Sequence, residues 1–396
     1  MESYFYIFIL LLINVDTSET FLVHKPSDDD IGDTQTHFDI TRAGLMRAIN
    51  KYIVERKNTT SFSEFFGADS ISLNKMIRSI SDLARMVTDI QDDFAFQNKA
   101  FIHCSSEEIE NAHIFVKQCR KSIPNWKKDL DGLRKKLAVC LYTIQSFYSN
   151  TNWIEMFGEQ VYEDFGTNNL METVTRSDED TCMNVENYDG SCQNNLVVHN
   201  KLTSGYFQGR GISKPARPLQ SVNGKCSHGG PFDSSRTRIS KCGINKDSYS
   251  PKYSPHHFLH DKAFSAAVAA TRQFLFPMNG SGIFDAIGDE IVANLFHVKM
   301  RTTVSLGFAI DYTGSMSEEM SDVKTYVTQL LTSVIGSGRE PADYVLSMFH
   351  DPKVYNKVFN YTDGNEMIRK VEDIHVFGGN GKNTDCPEYA LTGMLN

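Results

Sequence analysis

The chain has 396 residues, 40% hydrophobic and 22% charged, with a formal net charge of −9. That length has room for two or three domains with cores of their own, and the composition is globular, not disordered. The acidic balance, with no block of Lys and Arg, argues against nucleic acid as a partner; the densest basic stretch, KKDLDGLRKK, mixes signs and reads as a solvated helix edge.

Residues 1–20, MESYFYIFILLLINVDTSET, hold one apolar run from Tyr4 to Val15. It has the length of a signal-peptide core and falls short of the roughly 20 residues of a membrane span, although no positive charge precedes it. The expectation is a secreted, extracellular chain, with an N-terminal anchor as the alternative. No later run is long enough to cross a bilayer.

From Asp39 to about Phe157 the pattern is helical. Leu45, Ile49, Tyr52 and Ile53 mark a first helix, SLNKMIRSISDLARMVTDIQDDF a second and SEEIENAHIFVKQC a third. A fourth carries Leu130, Leu133, Leu137, Leu141, Ile144 and Tyr148 at steps of three and four, one apolar stripe. From about 158 to 255 the chain is polar and rich in Gly, Ser and Asn, too long a stretch for an ordinary loop. Cys182, Cys192, Cys226 and Cys242 lie in it, no C-x-x-C pair occurs, and an even cysteine count in an exported chain predicts disulfides. Cys182/Cys192 and Cys226/Cys242 would each close a short loop, with Cys226–Cys242 the best local pair, although spacing leaves the pairing open. Asn58, Asn279 and Asn360 match the glycosylation acceptor pattern. Helices return with PHHFLHDKAFSAAVAATRQFLF and GIFDAIGDEIVANLFHV, so residues 21–300 read as a mainly α domain with a disulfide-containing polar insertion.

From residue 303 to 396 strand and helix patterns alternate, which predicts an α/β domain with a mainly parallel sheet. The run TTVSLGFAID ends at Asp311 and is followed by Thr313 and Ser315 ahead of an acidic helix start. Ligands of open parallel sheets sit at the carboxyl ends of strands. A carboxylate and two hydroxyls clustered there suit a hard cation such as Mg²⁺, which takes about six oxygens at roughly 2.1 Å.

The Asp311-Tyr-Thr-Gly-Ser motif resembles the metal-ion-dependent adhesion site of von Willebrand factor A domains, D-x-[ST]-x-S. The resemblance implies a Rossmann-like domain whose N-terminal half is residues 303–396. It also implies direct metal ligation by Thr313 and Ser315, a water-mediated role for Asp311, a second-loop threonine at Thr384, and a third-loop acid further downstream. A cation held there would engage an acidic group on an extracellular protein ligand.

KCSHGGPFDSS, GINKDSYSP and SPHHFLHDKAFSAAVAAT, with a helical domain placed before an A domain, resemble the von Willebrand factor A domain-containing protein 7 family. The helical part in turn resembles heterokaryon-incompatibility C proteins and zinc-dependent phospholipases C. Their fourth helix carries His, Asp and His four apart, where this chain has Tyr142, Ser146 and Asn150 in an otherwise kept frame. Those three are weak zinc donors. His37, His113 and His260 match possible remaining metal ligands, but the Glu that follows the late His in the phospholipases is Phe264 here. Zinc and catalysis are therefore not expected, and the helical domain reads as a degenerate hydrolase scaffold. A secreted zinc-dependent phospholipase or phosphodiesterase is the alternative to a cation-dependent binding protein.

Overall fold

The computed structural model describes residues 34–57, 65–66, 70–169, 171–185, 192–278, 281–298, 304–336, 340–350 and 356–377. The expected leader at 1–20 lies outside them. The chain divides into two compact units, Met1–Tyr52 with Ile80–Ile287 and Ile53–Ser79 with Gly288–Asn396. The architecture is a mainly helical N-terminal region followed by a small α/β region.

The helical region contains α1 (His37–Lys57), α2 (Ser70–Asp89), α3 (Ile109–Ser122), α4 (Leu130–Asn150) and the short α5 (Trp153–Phe157). Helix α4 starts at Asp129, whose carboxylate accepts the Gly132 amide at 2.9 Å, satisfying one of the orphan donors of a helix start. Its first turns bury only the predicted stripe, Leu133 and Leu137. From Ala138 onward every residue is buried, so Thr143, Gln145, Ser146, Ser149 and Asn150 lie inside the protein. The helix ends where Thr151 turns extended and its hydroxyl bonds back to the Phe147 carbonyl at 2.7 Å.

Helix α3 begins three residues later than its sequence pattern. Ser106 and Glu107 take left-handed backbone angles, φ 56° and 63°, which turn the Glu107 carboxylate inward onto the fully buried Lys225, 3.1 Å away. Thr203 and Thr175 also donate to that carboxylate, at 2.6 and 2.8 Å.

The polar insertion has little regular structure. Its strands β1 (Cys182–Met183) and β2 (Asn223–Gly224) are two residues each and pair antiparallel. The expected short-loop disulfides are replaced by a crossed pair, Cys182–Cys226 and Cys192–Cys242, with Cα separations of 4.9 and 6.3 Å. The reason is tertiary. Pairing of β1 with β2 sets Cys182 opposite Gly224, two residues from Cys226. Asn195 donates to the Gly243 carbonyl at 3.0 Å, which holds the Cys192 segment beside Cys242. A third bridge, Cys119–Cys140, staples α3 to α4, and the Cys104 thiol is buried against the Thr143 carbonyl.

Three helices follow: α6 (His260–Leu275), α7 (Ile283–Ile287) and α8 (Asp289–Phe296). Helix α6 packs on α4, and its Thr271 meets α1 at Gly44, where an added Cβ would fall 2.4 Å from the threonine methyl.

The α/β region has β3 (Ser305–Asp311), α9 (Met320–Val334), β4 (Asp343–Phe349), β5 (Lys357–Tyr361) and α10 (Gly364–Glu372). The sheet order is β3-β4-β5, with β3 parallel to β4 and β5 antiparallel at the edge. Ile310, Leu331, Tyr344, Leu346, Met367 and Val371 fill its core. Asn360 is exposed on β5; Asn58 and Asn279 lie outside the described residues. Past α10 the described residues add to this sheet region a single bridge, from Phe377 to Thr313.

Candidate functional site

In the α/β region the chain leaves β3 at Asp311. Tyr312 is pinned on both sides: its amide donates to the Phe349 carbonyl at 3.2 Å and its carbonyl accepts from Phe377 at 2.8 Å. That holds the loop at the carboxyl end of the sheet. The Asp311 carboxylate accepts the Thr313 amide at 2.9 Å, closing a tight turn, and Gly314–Ser317 winds into one 3₁₀ turn ahead of α9. Thr313 Oγ1 and Ser315 Oγ come to 2.9 Å, with Asp311 and Thr313 half-buried and Ser315 exposed. Adjacent oxygens of an octahedron with metal–oxygen bonds of about 2.1 Å lie about 3.0 Å apart, so the two hydroxyls fit neighbouring corners of a Mg²⁺ shell. The three motif residues are thus brought together. Thr384 lies outside the described residues.

The helical unit holds a second polar centre, a cavity of ≈ 140 Å³. Helix α4 lines it with Tyr142, Ser146, Ser149 and Asn150, the face that the fourth-helix pattern singled out. His37 enters from the first turn of α1, His103 from the turn before α3, and Arg210, His228 and Asp247 from the insertion. Gly229 and Gly230 let that insertion approach so closely. Both sit at left-handed φ, 93° and 83°, and a Cβ on Gly230 would fall 2.4 Å from the Tyr253 carbonyl oxygen.

Hydrogen bonding orients these groups. Arg210 can only donate, so its NH1, 2.8 Å from His103 Nε2, makes that nitrogen an acceptor. The His103 proton then sits on Nδ1 and points at the Tyr142 hydroxyl, 2.7 Å away. Burial, then the Arg210 charge, hold His103 well below the usual histidine range, and burial pushes Tyr142 up to about 12. Gln145 donates to Thr41 and Thr271, so its carbonyl accepts from His37 Nδ1 at 2.8 Å; burial lowers the His37 pKa as well. Asp247 is held by His228 Nε2 at 3.0 Å on one oxygen and by the Ser149 hydroxyl on the other. Burial alone would raise its pKa, but His228 and the two hydrogen bonds lower it.

Of the three histidines singled out in the sequence, only His37 lines this cavity. His113 accepts the Gly166 amide at 3.1 Å and packs near Phe165. His260 donates to the Lys246 carbonyl at 2.6 Å and accepts the Gln35 amide at 3.3 Å, so both ring nitrogens hold backbone. The donor set does not fit a multi-zinc centre: helix α4 offers neutral oxygens, and a guanidinium occupies the His103 nitrogen that would ligate. Among the described residues no three His, Cys, Asp or Glu side chains converge on a metal position. His103, Arg210, His228 and Asp247 were not legible as site residues. The Gly pair after His228 was the one local sign, since it marks close backbone approach.

A strand-end D-x-T-x-S turn on a parallel pair, preceded by a helical region, defines a protein with a von Willebrand factor A domain, and residues 305–395 match the family described as von Willebrand factor A domain. Residues 57–290 match the family described as VWA7 N-terminal domain. The chain belongs to the von Willebrand factor A domain-containing protein 7 family. It is 34% identical over 338 residues to von Willebrand factor A domain-containing protein 7 of Mus musculus, covering 84% of this chain and 35% of that one. The Homo sapiens protein of the same name is 35% identical over 262 residues, 66% of this chain and 27% of the relative. The chain thus spans about a third of the length of the curated relatives it matches. No solved structure matches it.

Proposed function

We propose that this is a secreted, extracellular adhesion-type protein whose A domain holds Mg²⁺ and through it engages an acidic group on a protein ligand. One observation carries the reading: the Thr313 and Ser315 oxygens lie 2.9 Å apart at the strand end, beside the Asp311 carboxylate. Thr313 and Ser315 would hold the ion directly and Asp311 through water, with Thr384 the fourth residue of the set. A bound Mg²⁺ supplies a fixed positive charge with exchangeable coordination positions. Asp311 contributes the negative charge that retains it, and the hydroxyls set its place while staying neutral, so a partner carboxylate is attracted. The exposure of Ser315 supports access from outside. The helical domain serves structure or recognition, not hydrolysis; its α4 face lacks the ligands that would activate a water.

The test is a Mg²⁺ titration of the protein and of Asp311→Ala. Loss of saturable binding in the variant, with an unchanged circular dichroism spectrum, is expected. Equal Mg²⁺ affinity in both proteins would place the ion elsewhere and sink the reading.

A further inference from the structure

The cavity of the helical unit presents polar groups that the packing leaves unused. Arg210 lies 5.1 Å above the Phe207 ring and spends only NH1 on protein acceptors, the Gln97 carbonyl at 2.9 Å and His103. Its Nε and NH2 protons make no hydrogen bond among the described residues. The same is true of the Gly230 amide in the cavity wall. Asn150 is 9% exposed and donates to the His103 carbonyl at 2.8 Å, which fixes its orientation. Its Oδ1 then has no hydrogen-bond partner among the described residues. A buried amide oxygen left so costs about 1–3 kcal/mol, which a ligand donor would recover. Asp247 is the one carboxylate among the described lining residues, and both its oxygens are taken by Ser149 and His228. The unused groups are therefore a guanidinium edge, a main-chain amide, the Asn150 acceptor and the Ser146 hydroxyl, whose Oγ likewise has no hydrogen-bond partner among the described residues.

A guanidinium edge with a glycine amide matches an oxyanion, for which Arg offers paired donors. The Asn150 oxygen asks in addition for a hydroxyl. The volume of ≈ 140 Å³ is close to that of an engineered cavity of about 150 Å³ that takes benzene, so a phosphate with a few carbons fits. We propose that this cavity binds, without a metal, a small phosphate ester that carries a hydroxyl, with Arg210 and the Gly230 amide on the phosphate and Asn150 on the hydroxyl. The phosphate can belong to a soluble ester or to a lipid headgroup. Phe232, 66% exposed in the cavity lining, gives the mouth an apolar lip suited to either.

The experiment is calorimetric titration of the protein with glycerol phosphate, propyl phosphate and glycerol. A second arm uses phosphatidylglycerol vesicles against phosphatidylcholine vesicles. Saturable binding of one glycerol phosphate per chain is expected, with propyl phosphate several-fold weaker for want of the hydroxyl and glycerol silent. Arg210→Gln should weaken binding about ten- to hundredfold, the order of a charge-assisted hydrogen bond. Phe232→Asp, at an exposed position that leaves the fold intact, should weaken it several-fold by placing like charge at the mouth. Retention on phosphatidylglycerol vesicles that Arg210→Gln abolishes would assign the lipid source; glycerol phosphate binding without it would assign the soluble one. No binding at millimolar glycerol phosphate overturns the proposal. So does equal affinity in Phe232→Asp and the parent, whatever the folding of Arg210→Gln.

Discussion

Glu155 sits where α5 meets the insertion, 2.8 Å from the ammonium of Lys246 and 2.5 Å from His256 Nδ1. Lys246 is fully buried and Glu155 nearly so, so the contact is a buried charge cluster. Burial alone would raise the Glu155 carboxyl, but the Lys246 charge and the His256 hydrogen bond hold it down to about 2. A depressed carboxyl stabilises the fold above its unfolded pKa. That contribution should be complete above about pH 5 and lost as pH falls from the ordinary carboxyl range towards 2. Glu155→Gln strands the Lys246 charge in the interior and should cost about 3–5 kcal/mol near pH 7. Urea unfolding at pH 7 and at pH 3 checks both statements. A variant as stable as the parent at pH 7, or with the same acid sensitivity, would show that the cluster is not what holds α5 to the insertion. The sequence pointed to none of these three residues, because each belongs to a different stretch and nothing local marks a charge as buried.

At the scale of elements, helix–helix contact and covalent cross-links decide the helical region. Helices α1 and α6 approach through Gly44, and a methyl there would meet Thr271. Gly44→Ala should therefore destabilise by about 1–3 kcal/mol through overpacking, against the gain Ala brings to a helix that faces water. A rise in thermal midpoint would mean that the helices can part at no cost. Within the insertion, Cys182–Cys226 and Cys192–Cys242 close loops with sequence separations of 44 and 50. The chain-entropy estimate for loops of that size is about 4 kcal/mol each. Non-reducing peptide mapping should recover these two pairs and no Cys226–Cys242 peptide; recovery of the local pair would refute the crossed arrangement. One apolar cluster among the described residues of the insertion, Cys182, Leu196, Cys226 and Ile244, is built around the first of these bridges.

At the scale of the whole molecule the two compact units differ in what stabilises them. The described disulfides lie between Cys119 and Cys242, all in the unit that contains α4, and the cation motif lies in the other. Calorimetry should therefore show one transition that falls under reducing agent and does not respond to Mg²⁺. A second should rise with Mg²⁺, by about 2.7 kcal/mol at a hundred times the dissociation constant, and be indifferent to reduction. A single transition moved by both treatments would contradict this division of roles.

By itself the sequence determined what depends on neighbours along the chain. The 3.6-residue period of α4, the strand run ending at Asp311, and the D-x-T-x-S spacing are each contained in one element, so residue type and spacing were enough. The α3 start shows the limit: Ser106 and Glu107 left the helical pattern to satisfy Lys225, more than a hundred residues away. Only the tertiary structure decided that the second half of α4 is enclosed on every side, that the disulfides cross, and that His103, Arg210, His228 and Asp247 meet Tyr142 and Asn150 around one cavity. The reason is that the insertion has no periodicity to read. Its course is set by buried ion pairs, glycines in close contact and hydrogen bonds between distant segments, each of which exists only once the chain has folded.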